Sequence, residues 1–258
     1  QMKKFPTACY LGVIVFLIGI SCSLIASADD QITAVRRVGD LTIGYRGLTE
    51  ADIISLRKME GPPLDLYEPI VIDGLGTGFL PHDDDGWRRV ASMADMIVFV
   101  DGTRELRTSV DNSQEIWFPP INSQGSEGSC VSWATGYYTT GFQEAKEHNW
   151  DLSSVNIIGP WPGQPDSQQD HFMSPDFLYH QVNDGTDSGS YYSDNMYLIG
   201  RTGICSWEEM PYSCYDHTTW PDEGAWREAP LYRSQGGYSY ISFSSGLDSL
   251  KTLLDGQN

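Results

Sequence analysis

Basic residues are scarce in this chain. Its 258 residues include 16 Lys and Arg against 35 Asp and Glu, for a formal net charge of −19, and the basic side chains are mostly Arg. An acidic surface of this kind repels nucleic acid and anionic lipid, so neither is an expected partner. There is no CxxC pair and no His-rich cluster, so no zinc site and no cofactor is expected from spacing. Asp83-Asp84-Asp85 is acidic but lacks the ligand spacing of a calcium loop and reads as a solvated turn. No internal repeat is present. The longest apolar run, from about Tyr10 to Ile25, falls short of the roughly 20 residues that a membrane span needs. It follows Lys3 and Lys4 and ends at Ala26-Ser27-Ala28, the basic, apolar and small-residue parts of a cleavable secretory signal. Residues 1–28 are therefore expected to be a signal peptide. The remainder would be secreted or displayed at the cell surface, with no stable span after cleavage.

Cysteine is also sparse. Cys9 and Cys22 fall in the signal, leaving Cys130, Cys205 and Cys214. An odd count in an exported chain leaves one free thiol. Cys205 and Cys214 are close in sequence, in a loop-like stretch, and could pair as a disulfide; Cys130 is then the odd one.

Residues 29–115 carry no recognisable chemistry and are expected to be an N-terminal extension or pro-segment. Within them, Leu48 to Met59 reads as a helix capped by Thr49. Gly61 to Pro81 is expected to be irregular, and Met96 to Val100 a strand. The second region begins near Trp117-Phe118-Pro119-Pro120. Its centre is Gln124-Gly125-Ser126-Glu127-Gly128-Ser129-Cys130, followed by Val131 to Gln143 without one charged residue. Ala134, Gly136 and Gly141 permit close packing, and Glu144, Lys146, Glu147 and His148 restore polarity. This is the pattern of a buried helix whose far end reaches solvent. Downstream, Ser174 and Pro175 are expected to open a helix as N-cap and first residue. Ser193 is expected to cap another that runs to Arg201 and stops at Gly203. Tyr238 to Phe243 reads as a strand, and Leu247 to Leu254 as a short helix.

Cys130 stands out because it is placed at a helix N-terminus. Free backbone N–H groups and the positive end of the helix dipole favour its thiolate, the nucleophilic form. The glycines before it let a substrate backbone approach closely. Gln124, six residues earlier, can aim its amide at the same place. With the Cys130 N–H it would give two donors to the oxygen of a tetrahedral intermediate.

These residues resemble the active-site segment of papain-like cysteine peptidases, Gln-Gly-x-x-Gly-Ser-Cys. Met173-Ser174-Pro175-Asp176-Phe177-Leu178 resembles that family's Leu-Ser-Pro-Gln-x-Leu helix. Asp187-Ser188-Gly189-Ser190 resembles its glycine-rich substrate loop, and Gly203-Ile204 with Met210-Pro211-Tyr212 resembles its Gly-Ile…Pro-Tyr stretch. The resemblance covers roughly residues 117 to 256. It implies an α+β, papain-like fold over residues 116–258: a helical half around a buried central helix, and the first part of a β-rich half. It implies a polypeptide substrate, Cys130 and Gln124 as catalytic residues, and Gly128, Ser129, Ser188 and Gly189 as substrate-binding residues. It implies no cofactor or metal.

Three positions depart from the family pattern. Glu127 replaces a frequent disulfide cysteine, Val131 a frequent Trp, and Ser188 the first glycine of the substrate loop. None of His82, His148, His171, His180 and His217 suits the role of base. The family's His and Asn are expected beyond Asn258, so this chain alone is expected to be inactive. The expected activity of the longer protein is hydrolysis of peptide bonds. The alternatives are a catalytically inactive surface or adhesion module on the same scaffold, and a cysteine transpeptidase.

Overall fold

A computed structural model describes residues 32–38, 41–54, 70–72, 75–78, 80, 88, 94–100, 107–160, 162–234 and 243–256. The expected signal, the Asp83–Asp85 triplet and residues 238–242 of the expected strand lie outside them. Among the described residues no helix is long and apolar enough to cross a membrane. The architecture mixes helices with a small antiparallel sheet, and the chain divides into two units, each discontinuous in sequence.

The first unit draws on the described parts of residues 1–48, 93–108 and 234–258. Strands β1 (Ile32–Val38), β2 (Leu41–Gly47) and β5 (Ala94–Val100) form an antiparallel sheet in the order β1-β2-β5. Ile43 of β2 pairs with Val98 and is buried. The expected strand at Met96 to Val100 is thus present and starts two residues earlier. The last helix of the chain, Phe243–Gly256, packs on β5. It is longer than the helix expected at Leu247 to Leu254, and Phe243, expected to end a strand, lies in it. Its Asp255 is buried. Arg107 donates from Nε to Asp255 Oδ1 at 2.6 Å and from Nη2 to the Asp255 carbonyl at 2.9 Å. A cation is favourable where a helix exposes its last carbonyls.

The second unit covers the described parts of residues 49–92 and 109–233. Residues 50–54 are helical, and Thr49 caps them reciprocally with Asp52. Thr49 Oγ1 accepts from the Asp52 N–H at 3.2 Å, and Asp52 Oδ2 accepts from the Thr49 N–H at 2.9 Å. The stretch expected to be irregular contains a hairpin of β3 (Ile70–Ile72) and β4 (Leu75–Thr77). The Asp73-Gly74 pair between them is a hairpin signal that the Gly and Pro content had obscured.

The central helix α1 runs through Cys130–Ser132, Trp133–Thr140 and Gly141–His148 without a break. Its middle part is wound to π geometry. There Thr139 and Thr140 donate their hydroxyls to the carbonyls of Ala134 and Thr135, five residues back. The Thr140–Thr135 bond is buried, and there the side chain satisfies a carbonyl that water cannot reach. Gly136 lets the helix approach Leu178 and Ile204, since a Cβ there would lie 2.9 Å from each. Trp133, Tyr137, Phe172, Trp207 and Tyr212 form an aromatic core around α1. Trp133 meets Tyr137 and Tyr212 at 4.8 Å between ring centroids.

Helix α2 (Pro175–Val182) begins as its sequence predicts, with Ser174 Oγ accepting from the Phe177 N–H. Helix α3 (Tyr192–Arg201) starts one residue before the expected cap. Tyr191 holds the N-cap position, and its carbonyl accepts a bond from Asn195 Nδ2. The helix stops at Gly203, as expected, where φ is +95°. Helix α4 (Glu223–Glu228) is capped by Asp222.

Candidate active site

The loop from Gln124 to Ser129 delivers Cys130 to the first position of α1. Its shape is held from several sides. Tyr212, buried against Trp133, donates its hydroxyl to the Gln124 carbonyl at 2.7 Å and lies 2.8 Å from Ser129 Oγ. One phenol thus ties the loop's first residue to its last, which gives the Pro-Tyr block a physical purpose. Gln124 donates its amide to the Glu127 carbonyl at 2.8 Å, so one of its two amide hydrogens is spent inside the loop. Gly128 donates its N–H to Asp187 Oδ1 at 2.7 Å. The same oxygen accepts from the Tyr179 hydroxyl at 2.7 Å, and that hydroxyl accepts the Gly189 N–H at 3.2 Å. Asp187 and Tyr179 therefore bind the Cys130 loop to the glycine loop. Neither role is legible in the sequence, because Asp187 meets Gly128 across 59 residues and Tyr179 acts through Asp187.

Gly78 and Leu80 lie against the resulting groove. Ser190 donates its N–H to the Gly78 carbonyl at 2.8 Å, and Leu80 donates to the Ser190 carbonyl at 3.2 Å. Gly78 donates its own N–H to Cys130 Sγ at 3.2 Å. Its Cα faces the Gly128 carbonyl so closely that no side chain would fit there. The groove thus already hydrogen-bonds main chain at Gly78 and Leu80, with Gly78 against the thiol. Gly189 has φ of +100° and also packs against the Gly78 carbonyl. The expected substrate-binding residue is at the groove wall, but the backbone pairing is made by its neighbour Ser190. Ser188 and Gly189 also line a cavity of about 640 Å³ with Leu80, Tyr191, Tyr197 and Leu198. Ser129 is fully buried behind the loop, engaged with Tyr212.

Asn195 joins the helices beneath. It accepts from Ser132 Oγ at 2.6 Å and donates to Ser190 Oγ at 3.0 Å.

None of the three described cysteines forms a disulfide. The expected Cys205–Cys214 disulfide is therefore absent. Cys205 is fully buried, its thiol pushed up by burial and by the charges of Glu228 and Glu209. Cys214 lies against Gly125, near Ser126 and Glu127, and burial raises it too. The eight residues between them in sequence lead into two different surroundings. Cys130 is the most exposed of the three.

The rings of His148, His171 and His180 have partners of their own. His148 stacks on Trp150 and lies 3.5 Å from Glu144. His171 stacks on the same Trp150 at 4.2 Å and bonds Gln168. His180 is buried, with Nδ1 2.6 Å from the Thr219 carbonyl. Its Nε2 is near Glu127 and Asp176. Burial raises Glu127 to about 8; burial and then the Glu127 charge raise Asp176 well above the carboxylate range.

No protein-family model matches the chain, and no curated protein matches it. Among solved structures it is similar to the crystal structure of xylellain, a cysteine protease from Xylella fastidiosa. The two share 17% identity, with a TM-score of 0.46 over 72% of this chain and 66% of that one. The chain thus spans just under two thirds of that protein's length.

Proposed function

We propose that this chain belongs to an exported cysteine peptidase of papain-like architecture, in which Cys130 attacks the carbonyl carbon of a peptide bond. The observation that carries this is the main chain at Gly78 and Leu80, hydrogen-bonded to Ser190 along the groove, with the Gly78 N–H on Cys130 Sγ. A groove that binds extended main chain across a helix-terminal thiol suits a polypeptide substrate.

The thiolate adds to the carbonyl, and the oxygen takes up the charge against the Cys130 N–H and the second amide hydrogen of Gln124. The C–N bond then breaks, and a base returns its proton to the departing amine. Water hydrolyses the thioester and regenerates the thiol. In this scheme the base is an imidazole contributed by a later part of the longer polypeptide; the rings of His148, His171 and His180 have partners of their own.

Gly78 and Leu80 act as an inhibitory strap in this scheme. Gly78 presents an N–H to sulfur, not a carbonyl carbon, so the contact offers the thiol no electrophile. The 640 Å³ cavity beside Gly189 would receive a substrate side chain.

The test is a fluorogenic-peptide assay on a version extended past Asn258. Gln124→Ala should lower kcat roughly 100-fold with little change in KM. Hydrolysis that persists in Cys130→Ala would overturn the assignment. An extended protein without activity, whose Cys130 still alkylates, would favour the inactive surface module.

A further inference from the structure

The loop that carries Cys130 also carries Glu127, whose side chain turns into the protein. There it meets Asp176, in the first turn of α2, and His180, one turn later on the same face. His180 Nε2 lies 3.7 Å from Asp176 Oδ1 and 3.9 Å from Glu127 Oε1, and one ligand atom from each residue falls within 4.8 Å of the others. All three side chains are at most 2% exposed.

Their hydrogen bonding is incomplete in one direction only. Both Glu127 carboxylate oxygens, Asp176 Oδ1 and His180 Nε2 are buried without a hydrogen-bond partner. A carbonyl can only accept, so the 2.6 Å contact between His180 Nδ1 and the Thr219 oxygen places the ring proton on Nδ1. Nε2 of the neutral ring then presents a lone pair. Asp176 already uses its other oxygen to accept the Ser213 N–H at 2.8 Å. Lone pairs from three residues thus face one another in a space closed to water. An unpaired buried polar group costs on the order of 1–3 kcal/mol, and more when charged. A cation among them removes the whole deficit at once.

We propose that Glu127, Asp176 and His180 form a structural site for a divalent transition-metal ion of the Zn²⁺ class, which pins the Cys130 loop to α2. Charge supports this choice, because two carboxylates balance a divalent ion and a neutral imidazole adds nothing. Spacing supports it as well. Bonds of about 2.0–2.1 Å to a tetrahedral ion put ligand atoms about 3.4 Å apart. The observed 3.7 and 3.9 Å close to that with shifts of a few tenths of an ångström. An imidazole nitrogen among few oxygens suits zinc, whereas calcium takes 6–8 oxygen ligands. The surrounding bonds have the form usual around metal ligands: the imidazole donates its other N–H to a main-chain carbonyl, and a main-chain N–H supports the carboxylate. The sequence concealed the site because only Asp176 and His180 have a recognisable i, i+4 spacing, and Glu127 is 49 residues earlier. No step of peptide hydrolysis passes through this ion, so the proposal stands or falls apart from the peptidase reading.

The test uses the full chain carrying Cys130→Ala, which removes the accessible thiol as a competing ligand. The protein is stripped with chelator, exposed to Zn²⁺ or Co²⁺, and gel-filtered, and retained metal is counted by mass spectrometry. One retained equivalent is expected, with a rise in Tm. The Co²⁺ form should show d–d absorption without a thiolate charge-transfer band. Glu127→Gln and Asp176→Asn should each weaken retention at least tenfold. Two results would overturn the proposal: no retained metal in the protein with all three ligands intact, which would mean that protons fill the gap, or undiminished retention in both amide variants.

Discussion

The two ends of helix α1 are built on opposite plans. From Cys130 to Gln143 it carries no charged side chain, and its N-terminal end is defined by main-chain donors and a loop tied by Tyr212 and Asp187. The last turn carries Glu144, Lys146, Glu147 and His148. There Lys146 lies over the rings of Trp117 and Phe142 at 5.4 and 5.8 Å, and Asn149 closes the helix with φ of 55°. The reactivity we propose falls at the end where the backbone supplies the field and the geometry is fixed by buried bonds. Titration falls at the end where side chains supply the charge.

The sharpest way to break this contrast is to map thiol reactivity. Cys130 should alkylate with iodoacetamide roughly 100-fold faster than Cys205 or Cys214, by peptide mass spectrometry. Burial raises both of the others, and neither begins a helix. Faster labelling of either would remove any special status from the N-terminal end.

The far end is probed by pH. Burial, and then the Glu147 charge, lift Glu144 from its ordinary 4.5 to about 7. The folded state therefore holds this proton more tightly than the unfolded chain. That stabilisation is complete below pH 4.5 and is lost as pH rises through 7. Glu144→Gln keeps the neutral form at every pH. It should match the parent in urea denaturation at pH 4 and exceed it by up to about 2 kcal/mol at pH 7.5. A constant difference across that range would show that Glu144 is not the group that titrates.

Two smaller effects return to the reactive end. Gly78→Val introduces a side chain where the Gly128 carbonyl leaves no room. Overpacking of this kind costs about 1–3 kcal/mol, so the strap should lift and Cys130 should alkylate roughly tenfold faster. An unchanged rate would mean that Gly78 and Leu80 do not shield the thiol. Tyr212→Phe removes a buried hydroxyl that joins Gln124 to Ser129. It should lower the denaturation midpoint by an amount equivalent to about 1 kcal/mol. A loss in Cys130 alkylation beyond that in stability would show that the loop, and not the fold alone, depends on it.

What the sequence made legible was local. The charge-free run after Cys130, the Ser174-Pro175 start and the Gly203 stop each depend on a few adjacent residues, and each is found in the structure. Strands β1 and β2 are absent from the sequence expectations, although they pair directly with each other and Leu41, Ile43 and Tyr45 alternate with Thr42, Gly44 and Arg46. The Cys205–Cys214 pairing failed for a different reason, since proximity along the chain does not fix what each thiol faces. Within the site, Cys130, Gln124 and Gly189 could be singled out from residue types and spacing. Asp187, Tyr179 and the Gly78 strap could not, because an aspartate, a phenol and a glycine acquire their roles only from partners that folding brings to them.

The bond between Arg107 and Asp255 has a consequence for synthesis. It spans 148 residues and closes a unit whose first strands belong to the earliest described part of the chain. At about 5–20 residues per second, Asp255 is made roughly 7–30 s after Arg107. Until then β5 lacks the helix that covers it, and the β1-β2-β5 sheet waits on the ribosome with one flank bare. Export machinery that holds the chain unfolded over this interval would spare it that exposure, and a slowly translated codon run before residue 243 would prolong it.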